Sequence, residues 1–192
     1  MFLGLLVASS LFGQTPLKKP VRLVHEGAEI IFTAPLAHPR DLDFPQSKPV
    51  IEDGIAMLAS FELEGGQMPL LEVGMMPVPD GATDTKAFCV WLSKKQKLKE
   101  GNPKIPGQFS IEEIQKDGSP FGALLVRTRE MNFSGAPVPS LNLMFIKIQQ
   151  GQVLLLNFID LDEKDPMKLL PALKTISAGV IASLQFTSLK AQ

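Results

Sequence analysis

The densest apolar run in the chain is LMFIKIQQGQVLLLNFIDLD, Leu143 to Asp162. Leu143 and Phe145 fall on one face of an extended segment, and Met144, Ile146 and Ile148 on the other. Gln150–Gly151 supplies a tight turn. Beyond it, Val153, Leu155 and Ile159 alternate with Leu154, Leu156 and Phe158. Two strands joined by so short a turn must be antiparallel. Both faces of both strands are apolar, whereas a sheet face in water alternates with polar residues. The pattern therefore predicts a central hairpin covered on both sides. A membrane span is not predicted: Lys147, Gln149, Gly151 and Asn157 interrupt the run, and a spanning helix needs roughly 20 apolar residues.

The same alternation predicts a short strand at EIIFTAP, Glu29–Pro35, stopped by proline. IAMLASFEL and LLEVGMMPV, at 55–63 and 70–78, predict an antiparallel hairpin turned by EGGQMP. FSIEEIQKDG has capping-box spacing at Ser110 and Glu113, yet Phe109 and Ile111 alternate as in a strand, the reading preferred here. PFGALLVRTREM, 120–131, is a strand after the Asp117–Gly118 turn signal. Residues 14–29, the proline-rich 36–49 and NFSGAPVP after Met131 read as irregular connections.

The period changes to a helical one in two places. Phe88, Trp91 and Leu92 follow i, i+3, i+4 behind a capping Thr83 or Asp84, and Gly101 and Pro103 stop the segment. Near the C-terminus, Leu169, Leu173, Ile176, Val180 and Leu184 form a helical stripe. Asp165 and Pro166 supply a cap and a first position, and Pro171 offers an alternative start to the regular helix, with a looser turn before it.

Composition narrows the function classes. Of 192 residues, 45% are hydrophobic and 20% charged, as in a globular chain with a substantial core. A net charge of −1 gives no electrostatic reason to expect nucleic acid. The one basic cluster, KKQKLK at Lys94–Lys99, suits a solvated helix C-terminus. MFLGLLVASSLFGQTP carries no charge before Lys18 and reads as a secretory signal over residues 1–13, too short to span a membrane, although the usual basic start is missing. Cleavage after Ser10 or Gly13 fits small-residue rules. The alternative is a buried N-terminal strand or helix. No cysteine stands at the end of the apolar run, so no lipid anchor is expected. The expected organisation is a signal peptide at 1–13, a flexible mature N-terminus at 14–27 and one domain at 28–188, in a secreted or periplasmic protein.

Candidate chemistry is sparse. His25 and His38 are isolated, and together with Cys89 they match no metal-ligand spacing. Cys89, the only cysteine, sits between Phe88 and Val90 and reads as a buried structural thiol. Ser119 in GSPFG is displaced from the nucleophile-elbow position, and no dinucleotide fingerprint or P-loop occurs. Asp160, Asp162, Glu163 and Asp165 could hold a cation, but they also suit the positive end of a helix. Met68, Met75, Met76, Met131 and Met144 read as core filling rather than soft-metal ligands. Asn132 begins an N-x-S sequon. No catalytic, cofactor or metal residue is assigned, and no enzyme activity is expected.

The element order, with GQVLLLNFIDLDEKDP leading into a helix that ends ISAGVIASLQF, resembles the PsbP/Mog1-like domains. Ile181, Ser183 and Phe186 approximate that group's Ile-x-x-Ser-Phe-like ending, with Leu184 where Phe is usual. The resemblance implies an α+β fold: an antiparallel sheet covered by helices on both faces, an α/β/α sandwich over residues 28–188. None of the group's functional residues maps onto this chain. The expected role is a non-enzymatic exported accessory domain that binds a protein partner. The alternative is a small-molecule binding or transport accessory protein with an apolar pocket between helix and sheet.

Overall fold

The computed structural model describes residues 19–37, 49–52, 54–65, 69–133, 136–162 and 164–188. Strands dominate. β1 (Lys19–His25), β2 (Ala28–Ala34), β3 (Val50–Glu52), β4 (Ile55–Glu62) and β5 (Leu70–Pro77) precede helix α1 (Thr85–Lys95). β6 (Lys99–Glu100), β7 (Gln108–Lys116), β8 (Ser119–Phe133), β9 (Ala136–Gln149) and β10 (Gln152–Leu161) follow. A 3₁₀ turn (Pro166–Leu169) then leads into α2 (Leu170–Ser183) and β11 (Gln185–Ser188).

The eight strands from β3 to β10 make one sheet in the order β3-β4-β5-β10-β9-β8-β7-β6, antiparallel except for β6 beside β7. The remaining three make a small sheet in the order β1-β2-β11. The apolar hairpin thus occupies the middle of the large sheet, and both of its faces are buried. Leu143, Phe145, Leu154, Leu156 and Phe158 join a core with the small sheet and α2. Met144, Ile146, Val153 and Leu155 join a second core with Phe88, Cys89 and Leu92 of α1.

The expected α/β/α sandwich with helices on both faces is overturned. One face of the large sheet is covered by a second sheet together with α2. The other carries only the 11-residue α1. Two-sided burial is a demand of the hairpin, but a three-stranded sheet meets it as well as a helical layer.

Within the segment at 14–27 expected to be flexible, Lys19–His25 form β1, with Val21 buried, and residues 14–18 lie outside the described residues. Glu26 and Gly27 both take positive φ, 45° and 74°, and close a two-residue turn into β2. That is the primed turn whose twist matches paired strands. Asp117–Gly118 and Gln150–Gly151 repeat it. NFSGAPVP, expected as a loop, instead continues β8 to Phe133 and opens β9 at Ala136, and Asn132 lies within β8.

Local chemistry places both helices. Asp84 caps α1, its carboxylate accepting from the Ala87 N–H at 2.8 Å. Lys94 and Lys95 occupy the last turn, at the negative end of the helix dipole. Asp165 caps the 3₁₀ turn, and Pro171 falls in the first turn of α2, so the looser turn precedes the regular helix. Leu173 and Val180 of the stripe are buried, and Leu169 and Ile176 pack against the same core. Ser183 ends α2 by accepting from the Thr33 N–H of β2 at 2.9 Å. Phe186 is buried on β11, which pairs with β2.

Candidate functional site

α1 packs on β8 and β9 on its face of the large sheet, and Gln96 follows its last turn. A cavity of about 320 Å³ lies there, over β9 and β10. Its floor holds Met144 and Leu155. Ile55, Met57 and Gly74 close one side, and Gln96, which follows α1, stands at another. The polar groups on its walls are Arg127 and Arg129 from β8, Glu72 from β5 and Asn157 from β10.

Strand alternation aims these side chains. On β8, Ala123, Leu125 and Arg127 share a face, and Ala123 and Leu125 pack against α1. On β10, Asn157 continues the face of Val153 and Leu155. Cross-strand register places Asn142 opposite Arg127 and Glu72 opposite Asn157. Gly74 leaves room for its neighbours, since a Cβ there would stand 2.8 Å from Ile55 Cγ2.

The electrostatics are unusual for a surface sheet. Arg127 is 5% exposed. Its Nη1 donates to the neutral Gln96 Oε1, and its buried Nε has no hydrogen-bond partner among the described residues. Burial, and then the neighbouring charge of Arg129, push the Arg127 guanidinium down to about 10, so it stays charged at neutral pH. At the opposite wall, Asn157 is 8% exposed and its Nδ2 donates to Glu72 Oε2 at 2.9 Å. Asn157 Oδ1 is buried without a donor, as is Asn142 Oδ1 beside Arg127. Buried polar atoms are nearly all hydrogen-bonded in folded proteins, so the gathering of such atoms around one cavity sets this part of the sheet apart.

The residues singled out from the sequence do not converge on this cavity. His25 lies on β1, its Nε2 3.8 Å from Glu26 Oε1. His38, Met68 and Glu163 lie outside the described residues. Cys89 is fully buried in α1, and burial pushes its thiol up to about 12, as expected of a structural cysteine. Ser119 is exposed at the start of β8.

The acidic cluster builds a turn. Asp162 Oδ1 accepts from the backbone N–H groups of Lys164 and Asp165 at 2.8 and 2.9 Å. Those bonds, the one from Asp165 foremost, hold its carboxyl below the usual range. Asp160 Oδ1 accepts from the Leu161 N–H, and Asp165 Oδ1 from the Met167 N–H. Among the described residues, no three His, Cys, Asp or Glu side chains gather where they could hold a metal ion. Of the methionines, Met75 is buried in the core shared with the small sheet and Met76 in the core under α1. Met144 and Met131 line the cavity.

The cavity's polar residues were missed, although a signal for them exists. Arg127 and Asn157 stand at positions where alternation from Leu125 and Leu155 calls for inward-facing apolar side chains.

No family model matches the chain, and no curated protein matches it. Among solved structures, a crystal structure from Bacteroides thetaiotaomicron aligns with 77% of this chain at 12% identity and a TM-score of 0.34. The chain spans about half, 51%, of the length of that protein. Among the described residues, no helix is long and apolar enough to cross a membrane.

Proposed function

We propose that the chain is an exported, non-enzymatic accessory domain that binds a small polar molecule in the cavity beside α1. The observation that carries this reading is Arg127: a charged side chain, 5% exposed, held by a neutral partner and lining a cavity of about 320 Å³. Burying an ion costs several kcal/mol unless a partner compensates, and ligand sites are concave, with a few convergent polar groups on apolar walls. The lining differs from the apolar pocket expected from the sequence in its polar walls.

Binding of a protein partner has less support. The large apolar side chains left exposed among the described residues are Val24, Val50, Ile51, Val90 and Ile105. They are distributed over β1, β3, α1 and the loop before β7. A docking surface usually gathers several hundred Å² of contiguous apolar area.

Native mass spectrometry of the protein isolated from its own cell envelope tests both halves of the proposal. The expected result is a chain starting at Leu11 or Gln14 that carries a small-molecule adduct, with the adduct absent from Arg127→Gln. An intact Met1 on cytosolic protein sinks the export reading. A bare mass, with a protein recovered in its place, sinks the ligand reading.

A further inference from the structure

The two walls of the cavity carry opposite charge and opposite hydrogen-bonding need. At one wall stands the Arg127 guanidinium, with its Nε unspent and no carboxylate among its partners. At the other stand the Glu72 carboxylate and the orphaned Asn157 Oδ1, both acceptors. The register measures their separation. Arg127 pairs with Asn142, Asn142 with Ile159, and Ile159 with Leu70, two residues from Glu72. Three inter-strand steps and the two-residue offset put the two residues' backbones about 16 Å apart. Between them, Arg127 is held on Gln96 and Glu72 on Asn157. No ion pair joins the two, and Met144 and Leu155 form the apolar floor of the cavity.

A simple anion satisfies Arg127 but meets the Glu72 carboxylate at its far end. A simple cation has the reverse problem. A short molecule with a carboxylate at one end and an ammonium at the other satisfies both walls, because a guanidinium N–H pairs with a carboxylate and an ammonium can donate to Glu72.

We propose that the cavity between Arg127 and Glu72 binds a small zwitterion of amino-acid type, its carboxylate on Arg127 and its ammonium on Glu72. This rests on the ligand-binding reading above and specifies the charge pattern of the ligand. Arg129 adds positive potential at the carboxylate end. The opposed charges also fix the orientation of the ligand and select against dianions and dications of equal length.

Four probes of matched four-carbon length separate the possibilities: γ-aminobutyrate, succinate, putrescine and 1,4-butanediol. Each is titrated against the full chain while the backbone amides of Leu125–Arg129 and Leu71–Val73 are followed by NMR. γ-Aminobutyrate should saturate both sets of amides at least about tenfold more tightly than the other three, the scale of one charge-assisted contact. Glu72→Gln should shift the preference from γ-aminobutyrate toward succinate, and Arg127→Gln toward putrescine. A purely structural role for these side chains would weaken all probes alike and leave their order unchanged, which would overturn the proposal.

Tightest binding of succinate, putrescine or butanediol by the unaltered protein would also overturn it while leaving the ligand reading intact. Saturation by none of the four would overturn it too, and the ligand reading would then be decided by the native adduct. Unchanged amide positions in α2 and the small sheet establish that each variant is folded. Should Arg127→Gln fail to fold, the selectivity of Glu72→Gln decides alone.

Discussion

Phe145→Ala will remove about 3–5 kcal/mol of stability, the cost of a large aromatic deletion in a core that cannot close around the gap. Phe145 is 0% exposed, in the middle of β9, and β9 is one of the two central strands of the large sheet. Its ring stacks on Phe121 at 5.8 Å between centroids, and across the two ladders it stands opposite Leu124 and Leu156 of the same core. Neighbours on paired strands are held by backbone ladders, so they cannot move in to fill the space. A domain of this kind has roughly 5–15 kcal/mol in total, so the loss is a large fraction of it. Urea unfolding followed by circular dichroism measures the effect. The contrasting control is Ile51→Ala on the edge strand β3, where the side chain is 75% exposed and the expected change is under about 0.5 kcal/mol. Equal midpoints for the two variants would contradict the burial described here.

The second large effect comes from adding one methyl group. A Cβ at Gly122 would stand 2.5 Å from Phe145 Cε2 and 2.6 Å from the Ile146 carbonyl oxygen. The ring is itself packed against Phe121, and the carbonyl belongs to β9, the next strand of the sheet. Neither can yield without disturbing the β8–β9 ladder. Gly122→Ala is therefore expected to cost about 3 kcal/mol, the upper part of the usual overpacking range. A double-mutant cycle sharpens the test. Phe145→Leu removes the ring atoms that meet the new methyl, so the two changes together should cost less than the sum of the single changes. Additive costs would place the strain elsewhere. In GSPFG the serine is displaced from a nucleophile-elbow position, and the second glycine serves the close approach of β8 to an aromatic ring.

The cavity was partly legible. Asn157 stood out as a polar interruption in the central hairpin, and Arg127 breaks the apolar alternation of its strand. Each position says that something polar faces inward. Neither says that the two belong to one site, because Arg127, Asn157 and Glu72 become neighbours only through the order β5-β10-β9-β8. That order joins residues 85 apart in the chain, as Asn157 and Glu72 are, and no local preference encodes it.

The fold divides along the same line. The sequence by itself determined the strands at 55–63 and 70–78, the central hairpin, the two helices and the capping role of Asp165, and it narrowed the cap of the first helix to Thr83 or Asp84. These depend on side-chain period, on a carboxylate within reach of free N–H groups, and on turns of positive φ, all fixed within a few residues. It also determined that the hairpin is covered on both faces. Only the tertiary structure decided what covers it. β1 lies where the sequence reads as an irregular connection, because a lone strand of seven residues has no stability until it pairs. It finds that stability through β2, which in turn receives β11 from the far end of the chain. Burial free energy is non-directional, so a greasy face specifies that it must be covered without specifying by what. Helix, sheet or both satisfy it equally, and the choice rests with long-range pairings that only the assembled chain can make.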